Sequence, residues 1–133
     1  MAYFDHNATS PVSVGVQEAV VSGLRNFGNP SSVHAKGRAA RKIVEDARDE
    51  IACLVGALPE NVIFTSGATE ANNQALCSSG RKQVIASAIE HPSVIEISGD
   101  DPKISVAANG VVELESLSVI LRHLGRFAVV SVM

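Results

Sequence analysis

The sequence predicts an α/β chain with a mainly parallel sheet and flanking helices, and three observations carry that prediction. Short apolar runs rich in Val and Ile recur at 62–65, 83–88, 103–107 and 127–132. Stretches with apolar residues three and four apart lie before and between them. Clusters of Gly, Pro, Asn and Ser separate the two kinds of segment. Strands alternating with helices in this way imply a parallel sheet. Aromatic residues are 4% of the chain and Trp is absent, so the core has to come from Val, Ile, Leu and Ala.

Taken in order, Tyr3 to Pro11 is polar and turn-rich after its two aromatics. Val14, Val16, Ala19, Val20, Leu24 and Phe27 then predict a helix over 12–27, with Pro11 suited to its start. Gly28-Asn29-Pro30-Ser31-Ser32 is a loop, and Ser31 or Ser32 is the expected cap of the next helix. That helix is predicted over 33–55. Ile43, Val44, Ala47, Ile51, Leu54 and Val55 form its apolar arc, with Glu45, Asp46, Asp49 and Glu50 opposite. Cys53 falls on the charged side, and Gly56 is the expected C-cap. Val62–Thr65 reads as a buried strand, Ser66–Thr69 as a turn, and about 69–79 as a helix. A second strand follows over 83–88. His91-Pro92 breaks the chain before a short helical turn. A third strand is predicted over Lys103–Ala107, a tight turn at Asn109-Gly110, a helix over 113–124 and a fourth strand that reaches Met133. A chain that finishes on an apolar strand suggests truncation, because domains usually end in polar surface segments.

Several function classes receive no support. The net charge is −3, with no basic patch for nucleic acid or an anionic membrane. No apolar run approaches the roughly 18 residues of a membrane helix, and the N-terminus lacks the pattern of a signal peptide. A soluble cytoplasmic protein is the expectation. Cys53 and Cys77 form no CxxC and have no clustered His, which argues against zinc. Their spacing allows a disulfide, but a reducing compartment argues against one.

Four segments have the residue types for chemistry. In Thr65-Ser66-Gly67-Ala68-Thr69-Glu70 a strand runs through a small-residue turn into a helix. The first N–H groups of such a helix lack internal partners and, with the helix dipole, suit an anion such as phosphate. The sequence is neither a Walker motif nor GxGxxG, and a plain capped turn, with Ser66 or Thr69 as the cap, is the commoner meaning of this pattern. His91 follows the carboxyl end of a strand, where parallel sheets bind ligands, so it can share a sheet edge with the Gly67–Thr69 turn. An ordinary loop histidine is again the commoner case. The other two segments are the polar Phe4–Thr9 turn and the Gly28–His34 loop. Asp100-Asp101, Glu113 and Glu115 read as turn and helix-start charges.

The segments YFDHNATSPV, FGNPSSVHAKGRAAR, VIFTSGATEANNQAL, VIASAIEHPSV and FAVVSVM, in this order, resemble the cysteine desulfurases. These belong to the class V aminotransferase group of fold-type I pyridoxal 5′-phosphate (PLP) enzymes. The resemblance covers essentially the whole chain. It implies the N-terminal part of a fold-type I large domain: a single partial domain over 1–133, with an N-terminal segment to about residue 30 and the start of the PLP-binding domain beyond it. Ala68 and Thr69 would hold the PLP phosphate, and His91 would stack on the pyridine ring and help transfer protons. Asn7, Ala8 and Thr9 would lie towards the substrate, and the Asn29–His34 loop near the partner of a homodimer. The family substrate is L-cysteine, and sulfur passes as a persulfide to an acceptor or scaffold protein for iron–sulfur or thio-cofactor assembly.

The departures are as informative. The family's Schiff-base lysine sits in Ser-x-His-Lys, and none of Lys36, Lys42, Lys82 and Lys103 has that context. The aspartate on the pyridine nitrogen, the asparagine after VSVM and the sulfur-accepting cysteine have no counterpart here. Cys53 and Cys77 do not match that cysteine. The expectation is therefore no catalytic residue in this chain, PLP without covalent anchorage, and no turnover of cysteine by the chain alone. In fold-type I enzymes the neighbours of the first strand come late in the sequence. Val62–Thr65 and the last strand should then leave apolar edges unpaired, and the isolated chain should be marginal or should associate. The alternatives are a non-catalytic binding module, or part of another class V enzyme such as an aminotransferase or selenocysteine lyase.

Overall fold

A computed structural model describes residues 2–133. They form two compact units, one ending at Ile63 and the other running from Phe64 to Met133.

The first unit is helical. Helix α1 spans Val14–Leu24, and its cap is Ser13, whose Oγ accepts the Val16 N–H at 3.4 Å. Pro11 lies before that cap, so the helix starts later than the sequence predicts and also ends earlier. Helix α2 spans Ala35–Val55 and closes on Gly56 with φ 68°, the left-handed cap expected there. Its N-cap is His34, not Ser31 or Ser32: His34 Nδ1 accepts the Gly37 N–H at 3.2 Å. The serines lie in the preceding turn, ahead of the cap position, where Asn29 Oδ1 accepts Ser31 N–H and the Asn29 carbonyl accepts Ser32 N–H, both at 2.9 Å.

That turn lies against the first turn of α2. A Cβ on Gly37 would sit 2.2 Å from the Ser32 carbonyl oxygen, and one on Gly28 would sit 2.5 Å from that of Lys36. Two glycines thus permit the close approach. On the exposed side of α2, Lys42 pairs with Asp46 at 2.8 Å and Arg48 with Glu45 at 3.1 Å. The predicted apolar arc is not core. Ile43 and Ile51 are each 42% exposed and Leu54 81%, whereas small residues, Gly37, Ala40 and Ala52, are buried. A 3₁₀ turn at Pro59–Asn61 is tied to α2 by the Arg48 guanidinium, which donates to the Val62 carbonyl.

Val62–Thr65 is extended but joins no strand. A strand is defined by its ladder, and the ladder of this sheet runs through β-strands that follow later in the chain.

The second unit contains the sheet. Helix α3 (Ala68–Cys77) leads into β1 (Gln83–Ser87), α4 (Pro92–Ser98), β2 (Lys103–Ile104), α5 (Leu114–Leu124) and β3 (Ala128–Ser131). The strand order is β2-β1-β3 and both pairings are parallel. Central β1 is nearly all buried, as an apolar run covered on both faces should be. Leu76, Val84, Ala86 and Val94 form the core, with Ile97 and Val129 packed against it, and Ile85 and Ile104 are fully buried.

Strand β1 is one residue shorter than predicted, and β2 and β3 are shorter by more. Strand β2 ends at Ile104, and on its outer edge the Ser105 N–H goes to Ser116 Oγ at 3.0 Å. The chain then folds through the Asn109-Gly110 turn, with Gly110 at φ 84°. Strand β3 ends at Ser131, opposite Ala86 of β1, and Phe127 belongs to a 3₁₀ turn. Asp101, read from the sequence as a solvated turn charge, is half-buried and accepts the Val84 N–H at 2.8 Å. It fastens the turn after α4 to the central strand.

Candidate functional site

Parallel topology determines what shares an edge of the sheet. Helix α3 has 10 residues, about 15 Å at 1.5 Å per residue. Strand β1 has 5, about 16 Å at 3.3 Å per residue. The helix runs back along the strand it precedes, and the lengths match. Its N-terminus therefore lies beside the carboxyl end of β1, where the chain continues to His91. A cleft of about 440 Å³ opens there, lined by Thr69 and Asn73 of α3, His91, and Pro92, Ser93, Glu96 and Ile97 of α4.

The α3 end of the cleft is built by Gly67. It is the N-cap, in extended conformation, and supplies no capping side chain. Neither Ser66 nor Thr69 is the cap, contrary to the sequence reading. Nothing lies within 4 Å of where a Gly67 Cβ would be, so the helix start is open in front. Ala68 and Thr69 are the first two helical residues and both are exposed. Glu70 folds back, and its Oε2 accepts both the Ser66 hydroxyl and the Ser66 N–H at 2.6 Å. Those bonds, the hydroxyl's first and then the amide's, hold the Glu70 carboxyl below its ordinary pKa. The carboxylate is thereby engaged outside the helix. Thr65 Oγ1 donates to the Gly67 carbonyl at 3.1 Å and fixes the turn.

The other wall is His91, the N-cap of α4. It is extended, as a residue before proline should be, and Pro92 occupies the first helical position. Its Nδ1 accepts the Ser93 N–H at 3.1 Å, and Ser93 Oγ lies 2.9 Å from the same nitrogen. The ring remains exposed to the cleft. Nearby, Ser131 Oγ at the end of β3 donates to Glu90 Oε1 at 3.3 Å, and Ala88 N–H donates to the Ile104 carbonyl at 3.0 Å. All three strands thus contribute to the edge that carries His91.

Of the residues singled out from the sequence, Thr69 and His91 meet in this cleft, with Ala68 adjacent in sequence. Asn7, Ala8 and Thr9 belong to the other compact unit. They form an exposed turn in which the Asp5 carbonyl accepts Ala8 and Thr9 N–H, while Tyr3 Oη donates to the Asp5 and Thr9 carbonyls. Cys53 and Cys77 are free and exposed. Asn73, Ser93 and Glu96 were given no role by sequence reasoning. The signal was present in the adjacent Asn72-Asn73 pair and in the serine after His91-Pro92, but contact between α3 and α4 is needed to interpret it.

An α/β unit with an open helix N-terminus and an imidazole on the carboxyl edge of a parallel sheet defines a class. That class is the α/β domain with a cleft at the carboxyl edge of its sheet, whose helix N–H groups and imidazole have the chemistry to meet an anionic group and a flat ring. The comparisons with known proteins narrow that class. Residues 2–132 match the Aminotransferase class-V family, and the chain belongs to it. It is 42% identical over 130 residues to a cysteine desulfurase of Frankia sp., covering 90% of this chain and 30% of that protein. It is 44% identical over 101 residues to cysteine desulfurase IscS of Dictyoglomus turgidum, covering 71% of this chain and 26% of the relative. A selenocysteine lyase of Xenopus tropicalis is 48% identical over 77 residues, 57% of this chain and 18% of that one. Among solved structures, a NifS-like protein superposes with a TM-score of 0.82 at 34% identity, over 98% of this chain and 39% of its own. The chain thus spans about a third of the length of these desulfurase relatives. Among the described residues no helix is long and apolar enough to cross a membrane.

Proposed function

We propose that this chain forms the phosphate-and-ring end of a PLP site in a cytoplasmic cysteine desulfurase that acts as a homodimer. The enzyme converts L-cysteine to L-alanine and passes sulfur as a persulfide to an acceptor or scaffold protein, for iron–sulfur or thio-cofactor assembly. The observation that carries the proposal is the juxtaposition of Thr69 and His91 across one cleft, in a chain of class-V family.

The residues present fit the cofactor. Gly67 leaves open space before α3, and no side chain caps that helix, so the Ala68 and Thr69 N–H groups are available to a phosphate. The Thr69 hydroxyl adds a donor. The exposed face of His91, held from behind by Ser93, suits stacking on a pyridine ring. Bound PLP supplies an electron sink for bond changes at the substrate's α carbon. Asn7, Ala8 and Thr9 serve the substrate side, and the Asn29–His34 loop the dimer side. The family's lysine context and sulfur-accepting cysteine are not among residues 1–133. These residues by themselves therefore bind PLP without a covalent bond and without turning over cysteine.

The test is a titration followed by the cofactor's visible absorption and induced circular dichroism. PLP should bind, and pyridoxal, which lacks the phosphate, should bind far more weakly. Thr69→Ala should weaken PLP by about tenfold to a hundredfold, the range of one hydrogen bond to a charged group. His91→Ala should weaken PLP and pyridoxal alike, because it removes a ring contact. Equal affinity for the two ligands in the unmodified chain would refute the assignment of α3 to the phosphate. Sulfide formation from cysteine above a free-PLP control would refute the absence of turnover. The selenocysteine lyase match supports a second substrate reading, separated from the first by comparing cysteine with selenocysteine in the protein that carries this segment.

A further inference from the structure

Ser93 and Asn72 lie behind His91, and their hydrogen bonds form a chain with a definite direction. Ser93 is buried and Asn72 half-buried. Asn72 Nδ2, from the middle of α3, lies 2.9 Å from Ser93 Oγ. An amide nitrogen can only donate, so this bond occupies an acceptor site on the serine oxygen. Ser93 Oγ is in turn 2.9 Å from His91 Nδ1, and its hydroxyl hydrogen is free to point there. The Ser93 backbone N–H, also a donor only, meets the same nitrogen at 3.1 Å. His91 Nδ1 thus faces two donors from one residue. A bare nitrogen lone pair satisfies both, whereas a proton on Nδ1 opposes the backbone amide.

We propose that Asn72 and Ser93 are positioning residues that hold His91 as the neutral tautomer with its proton on Nε2. Two consequences follow. The ring cannot turn over about Cβ–Cγ without placing a carbon opposite both donors, so one orientation of the imidazole is retained. Nε2–H is then the hydrogen-bond donor that His91 presents, and Nδ1 is not available as a base while the cap of α4 is intact. No ion pair involves His91 among the described residues, so the seat is built from neutral groups. Asn72 joins α3 to this seat, so the helix that carries Thr69 also sets the polarity at His91.

The functional weight of this assignment rests on the reading of His91 as a cofactor contact, but its test does not. The ¹⁵N signals of the histidine rings are recorded without cofactor at about pH 8, where a free imidazole is neutral. His91 should show a bare Nδ1 and a protonated Nε2, with the other tautomer minor. Ser93→Ala removes one of the two donors, and the Nδ1–H population should rise severalfold. Ser93→Thr keeps the hydroxyl and should restore the unmodified pattern, which a merely structural role for the serine would not require. Asn72→Asp replaces a donor with an acceptor, draws the Ser93 hydroxyl away from His91, and should raise the Nδ1–H population further. Amide spectra of the same samples report that each variant is folded. A proton on Nδ1 in the unmodified chain overturns the proposal, as does a tautomer population unmoved by Ser93→Ala and Asn72→Asp. Failure to bind PLP would refute the cofactor reading and leave the tautomer result standing.

Discussion

The two compact units are made from the same kind of sequence and are held together differently. In the unit from Phe64 to Met133, β1 is covered on both faces, and Ile85, Ala86 and Ile104 have no exposed surface. In the unit ending at Ile63, the large apolar side chains of α1 and α2 remain in solvent, and only small residues are buried. That unit relies on local devices: the Ser13 and His34 caps, the Gly56 C-cap, the Lys42–Asp46 pair and the glycine-packed turn before α2. Thr69 and His91 fall in the unit with the sheet. A cleft whose walls must keep their spacing needs elements fixed by a core, and α3 and α4 are fixed by Leu76, Val84 and Val94.

The largest effects should come from the difference in burial. Ile85→Ala empties space in the central strand and should cost about 2–5 kcal/mol, enough to lower the urea midpoint of the second unit severely. Ile51→Ala removes a side chain that is 42% exposed on α2, and it should cost well under half as much. Equal losses would mean that the α2 arc is covered in solution, and the contrast between the units would fail.

A smaller test inverts the usual rule for helices. An alanine is normally better than a glycine inside a helix by about 1 kcal/mol. Gly15 of α1 has nothing within 4 Å of an added Cβ, so Gly15→Ala should stabilise its helix by about that amount. At Gly37 the added Cβ would meet the Ser32 carbonyl oxygen at 2.2 Å and the Asn29 carbonyl oxygen at 2.8 Å, both of them backbone. Gly37→Ala should therefore destabilise α2 and its preceding turn by about 1–3 kcal/mol, the cost of overpacking. Amide exchange at the start of each helix reads both variants. A stabilised Gly37→Ala would show that the turn does not rest on α2.

Local rules account for what the sequence made legible. Helix α2 follows from its period and from Gly56, and α4 from Pro92 at the first helical position. Strand β1 follows from an unbroken apolar run. The meeting of Thr69 and His91 was within reach too, because a helix that precedes a parallel strand returns its N-terminus to that strand's carboxyl end. The misses all depend on partners distant in sequence. Val62–Thr65 has the composition of a strand, but pairing is not a property of composition. The α2 arc has the period of a buried face, but period does not say whether anything covers it. His34 caps α2 where Ser31 or Ser32 was expected, because the turn tied by Asn29 places both serines ahead of the cap position, and Gly67 caps α3 where Ser66 or Thr69 was expected, the Ser66 hydroxyl being bonded to Glu70. Asn72 and Ser93 acquire meaning only once α3 and α4 are in contact.

The smallest effect concerns the turn at the mouth of the cleft. Glu70 is exposed, and its carboxyl is held below its ordinary pKa by the Ser66 hydroxyl and N–H. A carboxyl with a lower pKa in the folded state adds stability while ionised, above its unfolded pKa. That contribution is lost as the pH falls through the folded value. The loss therefore falls in the acid range below the ordinary carboxylate value, and stability near neutral pH is unaffected. Protection of the Ser66 amide against exchange should be constant around neutral pH, after correction for intrinsic rates, and should decline on acidification. Glu70→Gln keeps an acceptor without the charge. It should lower that protection modestly at neutral pH and abolish its acid dependence, leaving the core amides of β1 unchanged. If the β1 amides responded as well, the mouth of the cleft and the core would open together, and the local character of this turn would be disproved.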